Sequence, residues 1–263
     1  MEKFSSCFKV EKFRADLHIH STLSPCGSLK MSPSRILESV VEMGINLVAI
    51  TDHNATLNSV TLGKMARKRS LPFFYGIEVQ TQEEAHLLVY FDDLSSFELL
   101  GKEIYDRLPQ VKNDPQHFGD QVVVDEEENV IYFEEKLLLN SVAISVEGLS
   151  RLVTKMGGLI IPAHVDSFHF SLFGQLGFIP PELRFPALEV SHAFLKKNPS
   201  ARDLLGYPLV SFSDAHYPEE IGRAVTVLLM EKPTLEELRY ALEGKGGRGI
   251  IRLEIGRESL GNG

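Results

Sequence analysis

Leu47-Val48-Ala49-Ile50-Thr51-Asp52-His53-Asn54 is an unbroken apolar run that ends in an acid and an imidazole. Nothing in the apolar part alternates, so it reads as a strand buried on both faces, Leu47 to Thr51. Such a strand exposes Asp52 and His53 at its C-terminal mouth. For Asp52 the alternative is to cap the helix that follows. The flanks are amphipathic. Pro33 to Met43 reads as a helix with Ser32 as N-cap, Pro33 in its first turn and Gly44 closing it. A second helix runs from about Asn58 to Arg69. Helices alternating with a wholly apolar strand indicate a parallel α/β architecture.

The pattern extends outward. Phe13 to His18, Phe73 to Val79, His86 to Phe91, Leu159 to Ala163, Leu188 to Val190 and Leu209 to Phe212 are further short strands, each ending near a polar residue. Only QTQEEA separates Val79 from His86. A parallel crossover needs about a dozen residues. These two strands therefore form an antiparallel hairpin, which sets His86 beside Glu78. Between about 109 and 140, QVVVDEEENVIYFEE reads as a hairpin insertion, too short to bury a core of its own. Ser145 to Met156 reads as a helix ended by Gly157-Gly158, and GIIRLEI gives a last strand within Arg248 to Arg257. The expectation is one domain over 1–263.

Composition limits the function. Of 263 residues, 43% are hydrophobic and 24% charged, which excludes disorder and coiled coil. Net charge is −9. That balance leads to the expectation of no duplex nucleic-acid partner, because sequence-independent affinity comes from Lys and Arg on phosphates. The basic run Lys64 to Arg69 reads as a solvated helical face. Cys7 and Cys26 allow one bridge at most, which excludes a disulfide scaffold. The N-terminus has no signal-peptide core, and no apolar run approaches the roughly 20 residues of a membrane span. The expected setting is the reducing cytoplasm, with no membrane partner.

The chemistry lies in the strand ends. His18-Ile19-His20 places two imidazoles on one face, either as ligands or as satisfied polar groups at a rim. Thr51-Asp52-His53, Gly76-Ile77-Glu78, Pro162-Ala163-His164-Val165-Asp166 and Ser213-Asp214-Ala215-His216 close other runs, and His86 opens one. In a barrel such ends converge. Imidazoles with carboxylates suit Zn, Mn or Fe. The ligands outnumber the needs of one ion, which implies two or three divalent metals with Glu78 as the shared carboxylate.

DLHIHS, AITDHN, GIE, PAHVD and SDAH, in that order, resemble the polymerase and histidinol phosphatase (PHP) superfamily. The resemblance covers roughly residues 13–225 and is nearest to small stand-alone bacterial members described as metal-dependent phosphoesterases. It implies a distorted seven-stranded, TIM-like β/α barrel with a metal cluster at its mouth. Carried over, His18, His20, Glu78 and Asp214 hold the first ion, and Glu78, His86 and His164 the second. His53 and His216 hold the third, with Cys26 where the family usually has His or Asp. Cys26 is then either a thiolate ligand, favouring zinc or iron, or a bystander.

The implied reaction is hydrolysis of a phosphate ester by a metal-bridging hydroxide. The substrate is a small phosphorylated molecule, a nucleotide or a short oligonucleotide. Asp52, His192 or a metal-bound water protonates the leaving group. Arg223 either reaches a substrate phosphate or forms a surface salt bridge. His192 either lines the pocket or packs at the rim. Asp16 and Asp52 orient ligating imidazoles. His117 and His169 read as structural or exposed. The loop Ser167 to Pro181 is a lid or a packed loop under the mouth. Two other activities compete: a metal-bound module without turnover, and an amidohydrolase-type C–N hydrolase. Sequence leaves the oligomeric state open.

Overall fold

In the computed structural model, which describes residues 9–256, the chain first lays down β1 (Glu11–Asp16), α1 (Pro33–Glu42), β2 (Leu47–Ile50), α2 (Leu57–Lys68) and β3 (Phe73–Gln80). β1 pairs parallel with β2, and β2 with β3. Pro33 starts α1, and Gly44, at φ +63, turns the chain out of it. Cys7 and the tail from Arg257 lie outside the described residues.

The chain then reverses, and β4 (His86–Phe91) runs antiparallel to β3. β3 extends past Val79, so His86 stands opposite Gln80 and diagonally across from Glu78. Next come α3 (Leu94–Arg107), α4 (Pro115–Phe118), the hairpin strands β5 (Val122–Val124) and β6 (Val130–Phe133), α5 (Val146–Lys155) and β7 (Leu159–Pro162). The remainder is α6 (Leu172–Leu176), β8 (Leu188–Glu189), α7 (His192–Lys197), β9 (Asp203–Leu204), β10 (Tyr207–Val210), β11 (Ala224–Met230), α8 (Leu235–Leu242) and β12 (Gly249–Ile255).

The main sheet has seven strands in the order β12-β11-β1-β2-β3-β4-β7, and a smaller one has the order β8-β10-β9. Backbone bonds carry the curl onward. Val165 N donates to Glu189 O at 2.8 Å, Val190 N to Val210 O at 2.9 Å, and His20 N to Ala215 O at 2.9 Å. β7, β8 and β10 thereby lead back to β1. The result is the distorted barrel, with β11 and β12 continuing the sheet beyond it. The sheet is mixed rather than parallel, because β4 opposes both β3 and β7, and β11 opposes both β1 and β12. That reversal brings the first residue of β4 to the rim where its neighbours end.

Inside the barrel the strand period of two does the sorting. Leu47 and Ala49, Phe74, Leu88 and Tyr90, Leu159 and Ile161, and Phe212 share one buried core. Following the same alternation toward the rim leads to His53, Glu78, His86 and Asp214. The face that is apolar in the core thus becomes ligand-type at the mouth.

The 109–140 insertion is stitched to that mouth. Val122 N donates to Thr22 O at 2.8 Å, and Asn58 Nδ2 to Val122 O at 2.9 Å. Among the described residues, no helix is long and apolar enough to cross a membrane.

Gly76 lies two residues before Glu78, on the same inward face. A Cβ there would stand 2.7 Å from Ile50 O and 2.8 Å from Thr51 Cγ2. A backbone oxygen inside a sheet cannot step aside without moving β2. Gly76→Ala is therefore expected to destabilise the fold by about 1–3 kcal/mol. A lower urea midpoint with an unchanged slope would show this.

Candidate metal centre

Glu78 is fully buried at the centre of the rim. On one side, His18 Nε2 lies 3.4 Å from Glu78 Oε1 and 3.3 Å from Asp214 Oδ1. His20 Nε2 lies 3.5 Å from Glu78 Oε2, 3.3 Å from Asp214 Oδ1 and 3.3 Å from His18 Nε2. On the other side, Glu78 Oε1 faces His86 Nδ1 at 3.0 Å and His164 Nε2 at 3.3 Å, while Oε2 faces His53 Nδ1 at 3.0 Å. Ligand atoms bound tetrahedrally to one zinc at about 2.0–2.1 Å stand about 3.3–3.4 Å apart. The separations around His18, His20 and Asp214 have that spacing.

Unpaired atoms give the same reading. His53 Nδ1, Glu78 Oε2 and His164 Nδ1 are buried and make no hydrogen bond, although the first two are only 3.0 Å apart. A buried polar atom left unpaired costs on the order of 1–3 kcal/mol. A cation between converging lone pairs removes that cost. Three groups each bring their ligand atoms within 4.8 Å of one another: His18, His20 and Asp214; His53, Glu78 and His86; and His20, His53 and His216. Interlocked through His20 and His53, these clusters can hold two or three divalent ions. The donor set fits zinc, manganese or iron.

The imidazoles are oriented by what their other nitrogens hold. His18 Nδ1 lies 3.0 and 3.1 Å from the two oxygens of Glu189, which leaves the Nε2 lone pair facing the cluster. Glu189 Oε2 also accepts from His164 N at 3.0 Å. His20 Nδ1 donates to Ser24 Oγ at 2.9 Å, and Ser24 Oγ donates to Asp52 Oδ1 at 2.7 Å. His86 Nε2 donates to Gln80 Oε1 at 3.1 Å, leaving Nδ1 toward Glu78. Sequence reasoning missed Glu189, Ser24 and Gln80. Glu189 carried a signal, as an acid set inside the short apolar run Leu188 to Val190.

Several expectations need correction. Asp52 is fully buried, and its oxygens accept from Ser21 N at 2.7 Å, Ser21 Oγ at 2.6 Å and Ser24 Oγ. It cannot reach a leaving group. It acts on His20 through Ser24, and it does not cap α2, whose N-cap position is held by Thr56 without a side-chain capping bond. Asp16 orients no imidazole. It accepts from Ser213 N and Gly222 N, each at 2.9 Å, and burial pushes its carboxyl up to about 6. Arg223 forms the ion pair offered as one alternative, with Glu220, and adds backbone contacts to it. Its Nε donates to Ser213 O at 2.6 Å, Nη2 to Asp214 O at 3.1 Å and Nη1 to Glu220 Oε1 at 2.7 Å, which clamps the Asp214 turn. His192 opens α7, half-buried and outside the three groups. His117 and His169 are exposed.

Charge is unevenly spread. Burial disfavours the Glu78 carboxylate, but His86, His18 and His53 outweigh it and hold the group well below its usual range. Burial disfavours protonation of His18, yet Glu189, Asp214 and Glu78 raise it well above an ordinary imidazole. His164 and His216 are also raised against burial, by Glu78 and by Cys26 and Asp214 respectively. Cys26 is at the exposed rim and in none of the three groups. Desolvation raises its thiol, but His53 and His216 outweigh this and bring it down to about 6.

Comparison with known proteins agrees with this geometry. The chain matches the PHP domain over residues 16–167 and the PHP-associated region over 199–245. The first match covers more than half of the chain, and the chain belongs to the PHP-domain family. It is 27% identical over 274 residues to Uncharacterized protein YqxK of Bacillus subtilis (strain 168), spanning 92% of this chain and 65% of that protein. Among solved structures, the lesion-specific endonuclease PfuEndoQ from Pyrococcus furiosus superposes with a TM-score of 0.66 at 22% identity, over 92% of this chain and 58% of that one. Endonuclease Q in complex with a 27-mer duplex substrate superposes with a TM-score of 0.64 at 22% identity, over 92% of this chain and 59% of that one. The chain thus spans less than two thirds of each of these relatives.

The duplex complex corrects the expectation of no duplex partner. Net charge sums the whole surface, whereas phosphate is met locally, and bound cations reverse the local sign. A charge of −9 therefore does not exclude duplex nucleic acid.

Two predictions follow from the cluster. Glu189→Gln keeps the shape but removes the charge behind His18, and is expected to weaken metal binding by about 10–100-fold. Competition with a chromogenic chelator reads this directly. Metal occupancy is also expected to fall as pH drops. The raised imidazoles keep their protons to pH values above the 6.5 of a free imidazole, so protons compete with the metal there. The same chelator assay across a pH series checks the direction.

Proposed function

We propose that the chain is a metal-dependent hydrolase of phosphate esters, acting on a small phosphorylated molecule, a nucleotide or an oligonucleotide. The observation that carries this reading is the interlocking of three ligand groups, two of them histidines with a carboxylate and one of histidines alone, around the buried Glu78. His18, His20, Glu78 and Asp214 would hold one ion, and Glu78, His86 and His164 a second. His53 and His216 would hold a third, with Cys26 at its open edge. The ions, when bound, supply positive charge for phosphoryl oxygens and lower the pKa of bound water.

The remaining work falls to the chain. Glu189, the Ser24–Asp52 pair and Gln80 keep lone pairs of His18, His20 and His86 aimed inward, so little reorganisation is needed as charge develops. Arg223 and Asp16 fix the turn that presents Asp214. His192, three residues beyond Glu189, is the side chain proposed to protonate the leaving oxygen, since Asp52 is sealed among serines. Duplex binding by Endonuclease Q supports including nucleic-acid diesters among the substrates to be tested. A cytoplasmic setting suits the unpaired Cys26 thiol.

The test is turnover of phosphate monoesters, diesters, nucleotides and lesion-bearing duplexes by metal-loaded protein. Asp214→Ala is expected to lower kcat/KM by about 10²–10³-fold. Chelation should abolish turnover, and added metal should restore it. Hydrolysis that survives both treatments, or a metal-loaded protein that cleaves C–N but not phosphate ester bonds, would contradict this function.

A further inference from the structure

Phe170 has φ +56, a left-handed backbone that a bulky side chain rarely adopts. Asn54, His164 and Asp214, all at or beside the cluster, share this conformation. Such strain persists where the surroundings enforce it. Here the enforcing contacts are visible. Phe170 O accepts from His86 N at 2.8 Å. Ser171 Oγ donates to Ser167 O at 2.5 Å and accepts from Gly174 N at 2.9 Å. Leu172 is fully buried. A Cβ on Gly174 would collide with the carbonyl of Phe168. The loop is pinned at several points.

What the pinned loop holds up is aromatic. Phe168 is 79% exposed and Phe170 42%. The Phe170 ring lies over the His86 imidazole, with centroids 5.0 Å and planes 16° apart. Aromatic surface therefore begins one ring away from the nitrogen that faces Glu78. Neither the metal cluster nor the barrel core uses these two side chains. Keeping large apolar faces in water opposes the hydrophobic effect, and contiguous exposed apolar surface marks places where a partner sits. Beside a phosphate-binding cluster, that partner is the organic part of the ester. Flat rings in offset stacking or edge contact match a flat partner best.

We propose that Phe168 and Phe170 form a stacking platform for a planar π group carried by the substrate, a nucleobase or an aryl ring. They would thereby select planar phosphate esters over aliphatic ones. The inference rests on the phosphoesterase reading and deepens it. Phe168 and Phe170 are specificity residues and take no part in proton transfer.

The experiment uses the metal-loaded full chain. Values of kcat and KM are measured for a nucleoside monophosphate, phenyl phosphate and glycerol phosphate, in wild type, Phe168→Ala and Phe170→Leu. Metal content is measured in every sample, because Phe170 touches His86. The expected result is that the preference for planar over aliphatic esters shrinks about tenfold in each variant, through KM rather than kcat. A larger effect on the nucleotide identifies a nucleobase, and a larger effect on phenyl phosphate identifies an aryl ring. An unchanged preference, or an equal loss on all three esters, overturns the platform. If wild type hydrolyses none of them, the phosphoesterase reading fails for these esters. Calorimetric titration with the nucleoside monophosphate then decides the platform. Binding weakened by Phe168→Ala upholds it, and equal or absent binding overturns it.

Discussion

A carboxylate taken completely out of water needs compensating charge, and Glu78 obtains it from every side of the barrel mouth. Its two oxygens face His18, His20, His53, His86 and His164 at 3.0–3.5 Å. These five histidines come from four stretches of chain, His18 and His20 sharing one, so the carboxylate ties the rim ends of β1, β2, β4 and β7 together. Burying an unpaired charge costs several kcal/mol, and removing one partner of a buried set leaves the others uncompensated. Protonated imidazoles meet part of that need, but they leave Glu78 Oε2 and His53 Nδ1 without hydrogen bonds. Cations meet it fully.

The fold reads as a device for delivering these side chains. Period-two alternation turns apolar faces inward through β2, β3 and β4 and ends them in His53, Glu78 and His86, whereas after β1 and β7 the ligands His18, His20 and His164 follow core residues Leu17 and Ala163 out of that alternation. The reversal of β4 is the exception that makes this complete, since it presents His86 from a strand beginning rather than a strand end. Behind the ligands lies a shell of buried acceptors. Glu189 holds both His18 and the backbone of His164, so one carboxylate sets the position of two strand ends. Asp16 and Arg223 perform the equivalent task for the Asp214 turn without touching an imidazole.

Much of this was legible in the sequence, for physical reasons. Wholly apolar runs declared buried strands, and the polar residues at their ends declared the rim. The short QTQEEA link forced an antiparallel hairpin and so located His86. The inward-facing shell was less legible. Glu189 sits on a two-residue strand, too short to show any period. Asp52 and Arg223 carry groups that serve equally well in catalysis or in holding backbone, and only the positions of Ser21, Ser24, Ser213 and Glu220 decide between these roles. Net charge could not exclude duplex binding, because it averages over a surface while recognition is local. The exposure of Phe168 and Phe170 could not be seen either, because aromatic residues in a loop read the same whether packed or held out.

The most direct test of the account is anomalous diffraction from crystals of the protein loaded with zinc or manganese. The account predicts at least two peaks flanking Glu78, each at about 2 Å from its ligand atoms. One peak would be bounded by His18, His20 and Asp214 and another by His86 and His164. Loaded crystals with no peak in bonding reach of Glu78, or with Glu78 bonded only to protonated imidazoles, would contradict it.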